Sequence, residues 1–142
     1  MSYALIPSNP DHAAASPLLL KSKRFTGKKG KGVFSMPNRN IVGLLEAMDY
    51  AGLLTPSEAP PGTYGQVARE KFETQADHHV TAAEATWIAQ GLTDLLANED
   101  DLEMVYDILD LDEDGAPQLE MLITEFVEFQ KFAAASGGYT VS

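Results

Sequence analysis

Residues 98–132 read NEDDLEMVYDILDLDEDGAPQLEMLITEFVEFQKF, and this stretch decides the fold. Leu102, Val105, Tyr106 and Leu109 precede an acidic turn at residues 110–117, and Leu119, Leu122, Ile123 and Phe126 follow it. Spacings of three and four put each set on one helical face, so two amphipathic helices joined by a turn are predicted. Between Arg69 and Lys131 the only basic residue is Lys71. Most carboxylates of the stretch therefore have no basic neighbour in sequence.

Upstream, Thr81-Ala82-Ala83-Glu84 matches a capping box, in which hydroxyl and carboxylate each satisfy a free backbone donor. A long helix is expected from there to about residue 97, with Ala85, Ile88, Leu92, Leu95 and Leu96 inward and Trp87 beside that stripe. Gln75 to His79 is polar and turn-like. Residues 64–72 predict a short helix, and the proline-rich stretch 55–63 predicts a loop. A further helix, capped by Asn38 or Asn40, runs to about residue 51 with Ile41, Leu44, Leu45 and Met48 on its apolar face and Gly52 as its stop. Residues 1–6 predict an edge strand ended by Pro7, and 33–36 and 139–141 predict two more strands. Residues 7–32 read mostly as loop and hold Lys21, Lys23, Arg24, Lys28, Lys29 and Lys31, six of the ten basic residues.

These elements predict an α+β fold, predominantly α, in a single domain over residues 1–142. It comprises a loop-rich basic N-terminal segment at 1–32 and a body of four to five helices at 33–142. The N-terminal, 33–36 and C-terminal segments form its small antiparallel sheet.

A hydrophobic content of 44% and a charged content of 22% suit a globular chain. A net charge of −11 and a pI near 4.5 argue against nucleic acid as a partner. The absence of cysteine excludes disulfides, thiolate metal sites and cysteine nucleophiles. No run nears the roughly 18 apolar residues that span a bilayer, and no signal-peptide pattern opens the chain, so a cytoplasmic protein without a membrane partner is expected. The glycines at 27–32 are not spaced for a phosphate cradle; they predict a solvated basic loop, or one that lies near the acidic half and relieves its repulsion. His78 and His79 are adjacent and would face apart, which disfavours one shared metal. The absence of a G-x-S-x-G serine argues against that class of enzyme. Phe126, Phe129 and Phe132 predict core packing on the last helix.

Two chemistries remain for the acidic half. In the first, the face formed by Glu99, Asp100, Asp101, Glu103 and Asp107 meets a basic protein partner. In the second, Asp110, Asp112, Asp114 and Glu120 bind a divalent cation, calcium, through a degenerate EF-hand-like loop at 110–121. Alternating aspartates before Gly115 form the first half of the calcium-loop pattern. Position twelve, however, is Met121, with Glu120 one residue early and Pro117 at position eight. An upstream partner loop would run from Glu73 to Glu84, with Gln75 and Asp77 as further ligands and His78 where the sharp turn wants glycine. Without any ion, the same aspartates serve a turn and a helix N-terminus.

The order of features carries a resemblance. It comprises F-S-x-x-N at 34–38, L-L-E-A-M at 44–48, P-x-x-x-P-P-G-T-Y at 56–64, V-T-x-x-E-A-x-x-I-A-x-x-L at 80–92, and E-F-V-E-F with S-G-G-Y-T-V at 125–141. Over roughly residues 33–141 the chain resembles a family of small uncharacterised bacterial proteins with a central V-x-x-x-D-A-x-x-L-A-x-x-L helix and a terminal G-G-F strand. Here Glu84 replaces the aspartate of D-A and Tyr139 the phenylalanine of G-G-F. The resemblance implies a compact helical body with a minor sheet and carries over no catalytic residue. Small acidic proteins of this kind include immunity proteins to toxins, an analogy at the level of type alone.

Overall fold

The computed structural model describes residues 2–26, 32–55 and 65–142. Most of the glycine- and lysine-rich loop and most of the proline-rich linker expected from sequence lie outside them. Along the chain run β1 (Ser2–Pro7), a 3-10 turn at Pro10–His12, α1 (Pro17–Lys21), β2 (Phe25–Thr26), β3 (Val33–Pro37), α2 (Asn38–Tyr50) and β4 (Leu54–Thr55). There follow β5 (Val67–Ala68), α3 (Glu70–Glu73), β6 (His78–Val80), α4 (Ala82–Leu96), α5 (Glu99–Ile108), α6 (Gly115–Ala135) and β7 (Tyr139–Val141).

The fold is α+β and predominantly α, as the periodicities predict. The three expected strands form the middle of an antiparallel sheet of order β2-β3-β1-β7-β6. The N-terminal strand is central instead of at an edge: β1 pairs with β3 on one side and β7 on the other. Pro7, which lacks an N–H, is simply its last residue. Five strands replace the expected three, because β2 and β6 add the two edges. Residues 7–26, expected as loop, hold a 3-10 turn, α1 and β2: Ser16 caps α1 by accepting from the Leu19 N–H at 3.2 Å, with Pro17 in the first turn. The helix expected over 64–72 is instead the short strand β5, paired parallel to β4, and the four-residue α3.

Tyr3, Leu5, Phe34, Met36, Tyr139 and Val141 alternate into the core, so the sheet buries one face. That face rests on α6 through an aromatic layer. Phe34 of β3 meets Phe126 and Phe129, Phe25 of β2 meets Phe129 and Phe132, and Tyr139 of β7 meets Phe129. The principal helical neighbour of α6 is α4, whereas α5 rests on α4 and α2. The two helices of the deciding stretch are thus consecutive without packing chiefly on each other. The capping box opens α4 as expected, with the Thr81 hydroxyl accepting from the Glu84 N–H at 3.1 Å and Glu84 accepting from the Thr81 N–H at 3.0 Å. The expected asparagine cap of α2 does not form: Pro37 takes that position, and the side-chain oxygen Oδ1 of Asn38 is buried without a hydrogen-bond partner.

The Tyr139 hydroxyl and both amide atoms of Gln130 are also buried without a well-formed hydrogen bond. Burial pushes the Tyr139 phenol far above its usual range; the nearby Gln130 amide opposes that rise, and the negative charge of Glu84 adds to it. Tyr139→Phe removes a desolvated hydroxyl at little cost in shape. It is expected to be neutral or stabilising by about 1 kcal/mol near pH 7. In the unfolded chain the phenol ionises near 10.0, while the fold keeps it protonated. Above that pH the unfolded chain binds fewer protons, so this residue's stabilisation falls by about 1.4 kcal/mol per pH unit. Urea unfolding of both proteins at about pH 9 and 11 checks this: the alkaline loss should be smaller in the phenylalanine variant.

Candidate functional site

The acidic face is built on α5. Asn98 caps the helix, its side-chain oxygen accepting from the Asp101 N–H at 3.1 Å. Leu102 and Val105 are the only two of its ten residues that are buried, and half-buried Tyr106 and Leu109 pack against the same core. The helix is therefore peripheral, with most of its circumference in solvent. Glu99, Asp100, Glu103 and Asp107 are exposed. Asp101 is half-buried and accepts a hydrogen bond from the Tyr50 hydroxyl of α2 at 3.1 Å. That bond, ahead of burial and the carboxylate's charge, raises the tyrosine's pKa. Four of the five predicted partner residues thus face water, and the fifth ties α5 to α2.

Helix electrostatics account for only part of this charge. Glu99, Asp100 and Asp101 occupy the first turn, where the positive end of the dipole favours them. Glu103 and Asp107 lie beyond it. Asp107 stands in the last turn, where a negative charge is disfavoured, and no basic residue accompanies it there. Residues 99–114 hold nine carboxylates and no Lys or Arg. Among the described residues, the ion pairs are Arg24–Glu125, Arg69–Glu73, Lys71–Glu84 and Lys131–Glu128, none of which reaches this stretch. The intramolecular relief expected from Lys28, Lys29 and Lys31 falls outside the described residues. Arg24 of the same basic segment is committed elsewhere: it donates to Glu125 Oε2 at 2.6 Å, and Ser22 donates to the same oxygen at 2.7 Å.

Of the four expected cation ligands, Asp110 and Asp112 serve the local backbone geometry, whereas the side chains of Asp114 and Glu120 are exposed. Asp110 adopts a left-handed conformation (φ +53°) and closes α5 in the way a glycine usually does. Its N–H donates to Asp107 O at 3.1 Å, and the Leu111 N–H donates to Tyr106 O at 3.0 Å. Asp112 Oδ1 accepts from the Asp114 and Gly115 N–H groups at 3.1 and 2.7 Å, satisfying free donors at the start of α6. Since α6 begins at Gly115, Glu120 stands on the outside of a helix instead of in a loop. Upstream, Glu84 Oε1 accepts from Lys71 Nζ at 2.8 Å as well as from the Thr81 N–H, and Lys71 also donates to His79 O. His78 and His79 lie on β6, which pairs with β7 and not with residues 110–121. Among the described residues, no three His, Asp or Glu side chains are grouped so as to hold a metal ion.

Two residues of the face escape the sequence reading. Met104 and Ile108 stand one turn apart on the outer side of α5, 49% and 52% exposed. Their signal was available: both are apolar, at i and i+4, and off the inner stripe of Leu102, Val105 and Leu109. Beyond the helix end, Leu109 and Leu111 line a groove of about 400 Å³ with Val42, Leu119 and Leu122, between α2 and the start of α6. Among the described residues, no helix is long and apolar enough to cross a membrane. In comparisons with protein-family models, curated proteins and solved structures, nothing matches this chain.

Proposed function

We propose that this chain is a non-enzymatic bacterial binding protein of the cytoplasm. Its α5 face, formed by Glu99, Asp100, Asp101, Glu103 and Asp107, engages a basic protein, as an immunity protein engages a toxin. The observation that supports this best is Asp107, with Glu103 beside it. Both stay exposed, without ion pairs among the described residues, and neither can be credited to the start of the helix. Like charge at these positions costs the free protein a few tenths of a kcal/mol and is offset only when a cation approaches. A net charge of −11 adds long-range attraction and makes association fast and salt-sensitive.

Glu103→Gln/Asp107→Asn tests this. The variant should fold with equal or slightly higher stability yet retain less of a basic partner. Wild-type and variant chains are immobilised side by side and a bacterial lysate is passed over both. Support is a basic protein held by the wild type, lost at about 0.5 M salt where the screening length is only a few ångströms, and depleted on the variant. Equal retention on both, unchanged by salt, rules the face out.

A further inference from the structure

We infer that the occupant of this face is a basic amphipathic helix, held by an apolar strip as well as by charge. This inference rests on the α5 reading above. At 100° per residue, Met104 and Ile108 project between Asp100 and Asp107 on one side and Asp101 on the other. The outer side of α5 is thus an apolar strip bordered by carboxylates. One turn separates its two apolar residues, which matches apolar anchors three or four residues apart on a facing helix.

Charge selects among occupants. An anionic membrane would be repelled by the carboxylates that border the strip. A second copy would bring its own net −11 to the contact. A foreign helix with lysines or arginines flanking an apolar stripe satisfies both features. Its cations meet Asp100, Glu103 and Asp107 while its anchors cover Met104 and Ile108.

Two synthetic peptides of about 16 residues and identical leucine and lysine composition make the test. In one, leucines recur at i, i+3, i+4 and i+7; in the other the order is scrambled so that no apolar face forms. Affinities for the full chain are measured by fluorescence anisotropy, with self-association followed by sedimentation. The ordered peptide should bind about tenfold tighter than the scrambled one. Met104→Ser/Ile108→Ser should remove that advantage and leave the weaker binding unchanged. If both peptides bind alike and the serine variant changes neither, the helix inference falls while the charge reading stands. If Glu103→Gln/Asp107→Asn changes neither affinity, the α5 reading falls as well. If the wild type is a dimer that the serine variant dissolves, a second copy is the occupant and the inference is overturned.

Discussion

Gly138→Ala is expected to destabilise the fold by about 3–5 kcal/mol, among the largest effects a single methyl group can have. Gly138 adopts φ +92°, where an L side chain is strained by about 1–3 kcal/mol. Space is short as well: a Cβ there would overlap the carbonyl oxygen of Val80 and come within 3.1 Å of Ala82 N and of the Thr81 carbonyl carbon. These are backbone atoms, so relief requires parting β6 from β7, where Val80 pairs with Tyr139, or moving the start of α4. For a chain of this length the loss corresponds to roughly 10–20 °C in melting temperature. Gly52→Ala isolates the conformational share. Gly52 also has positive φ (+73°) but no atom within 4 Å of the added Cβ, so about 1 kcal/mol is expected. Thermal melts of both variants decide: equal losses would mean that backbone crowding contributes nothing.

Gly138 also marks how far local sequence signals reach. Gly52 and Gly137 close helices α2 and α6, each followed by a backbone bond back to the last turn, from Leu53 N–H to Met48 O and from Gly138 N–H to Ala133 O. The stop at Gly52, the capping box at Thr81 and the stripes of α2 and α4 are set by neighbours in sequence and were legible. The missed strands are not local. β2 has two residues and β6 has three, too few for alternation to register, and the first two residues of β6 belong to the polar run Gln75 to His79. They are strands because β3 and β7 offer them edges. The central place of β1 was hidden for the same reason, since Pro7 reads as a strand end whichever strands lie beside it. The short helix α1 was legible in principle, through Ser16 and Pro17 ahead of three leucines.

At the candidate site the sequence conveyed charge better than geometry. The run from Glu99 to Asp107 does form one exposed helix, because Leu102 and Val105 fix which side turns inward. Alternation of aspartates at 110, 112 and 114 was ambiguous between ligand and cap. In the structure, backbone N–H groups claim Asp112 and left-handed geometry claims Asp110. The strip at Met104 and Ile108 was overlooked because an amphipathic reading assigns one apolar face per helix, and α5 carries a second, smaller one.

Phe129→Ala is expected to cost about 3–5 kcal/mol and roughly 10–20 °C, because one ring couples α6 to three strands. Phe129 is fully buried, with ring centroids 6.4 Å from Phe25, 5.3 Å from Phe34 and 5.3 Å from Tyr139, and 6.3 Å from Phe132 of its own helix. These neighbours belong to β2, β3 and β7, elements that cannot all close around an alanine. A cavity therefore adds to the lost transfer energy and the lost ring contacts, of which the one with Tyr139 is edge-to-face. Phe129→Leu fills most of the volume and should recover more than half of the loss. Urea unfolding separates cause from artefact: the midpoint should fall while the slope stays constant, since the surface exposed on unfolding is nearly the same. None of the rings around Phe129 belongs to α5. Well below its melting temperature, the alanine variant should therefore bind a basic amphipathic peptide within about twofold of the wild type, because only the folded fraction enters the apparent affinity. A large loss of binding by protein that is still folded would mean that the α5 face is coupled to the aromatic layer beneath the sheet. Stability and recognition would then not be separable on this chain.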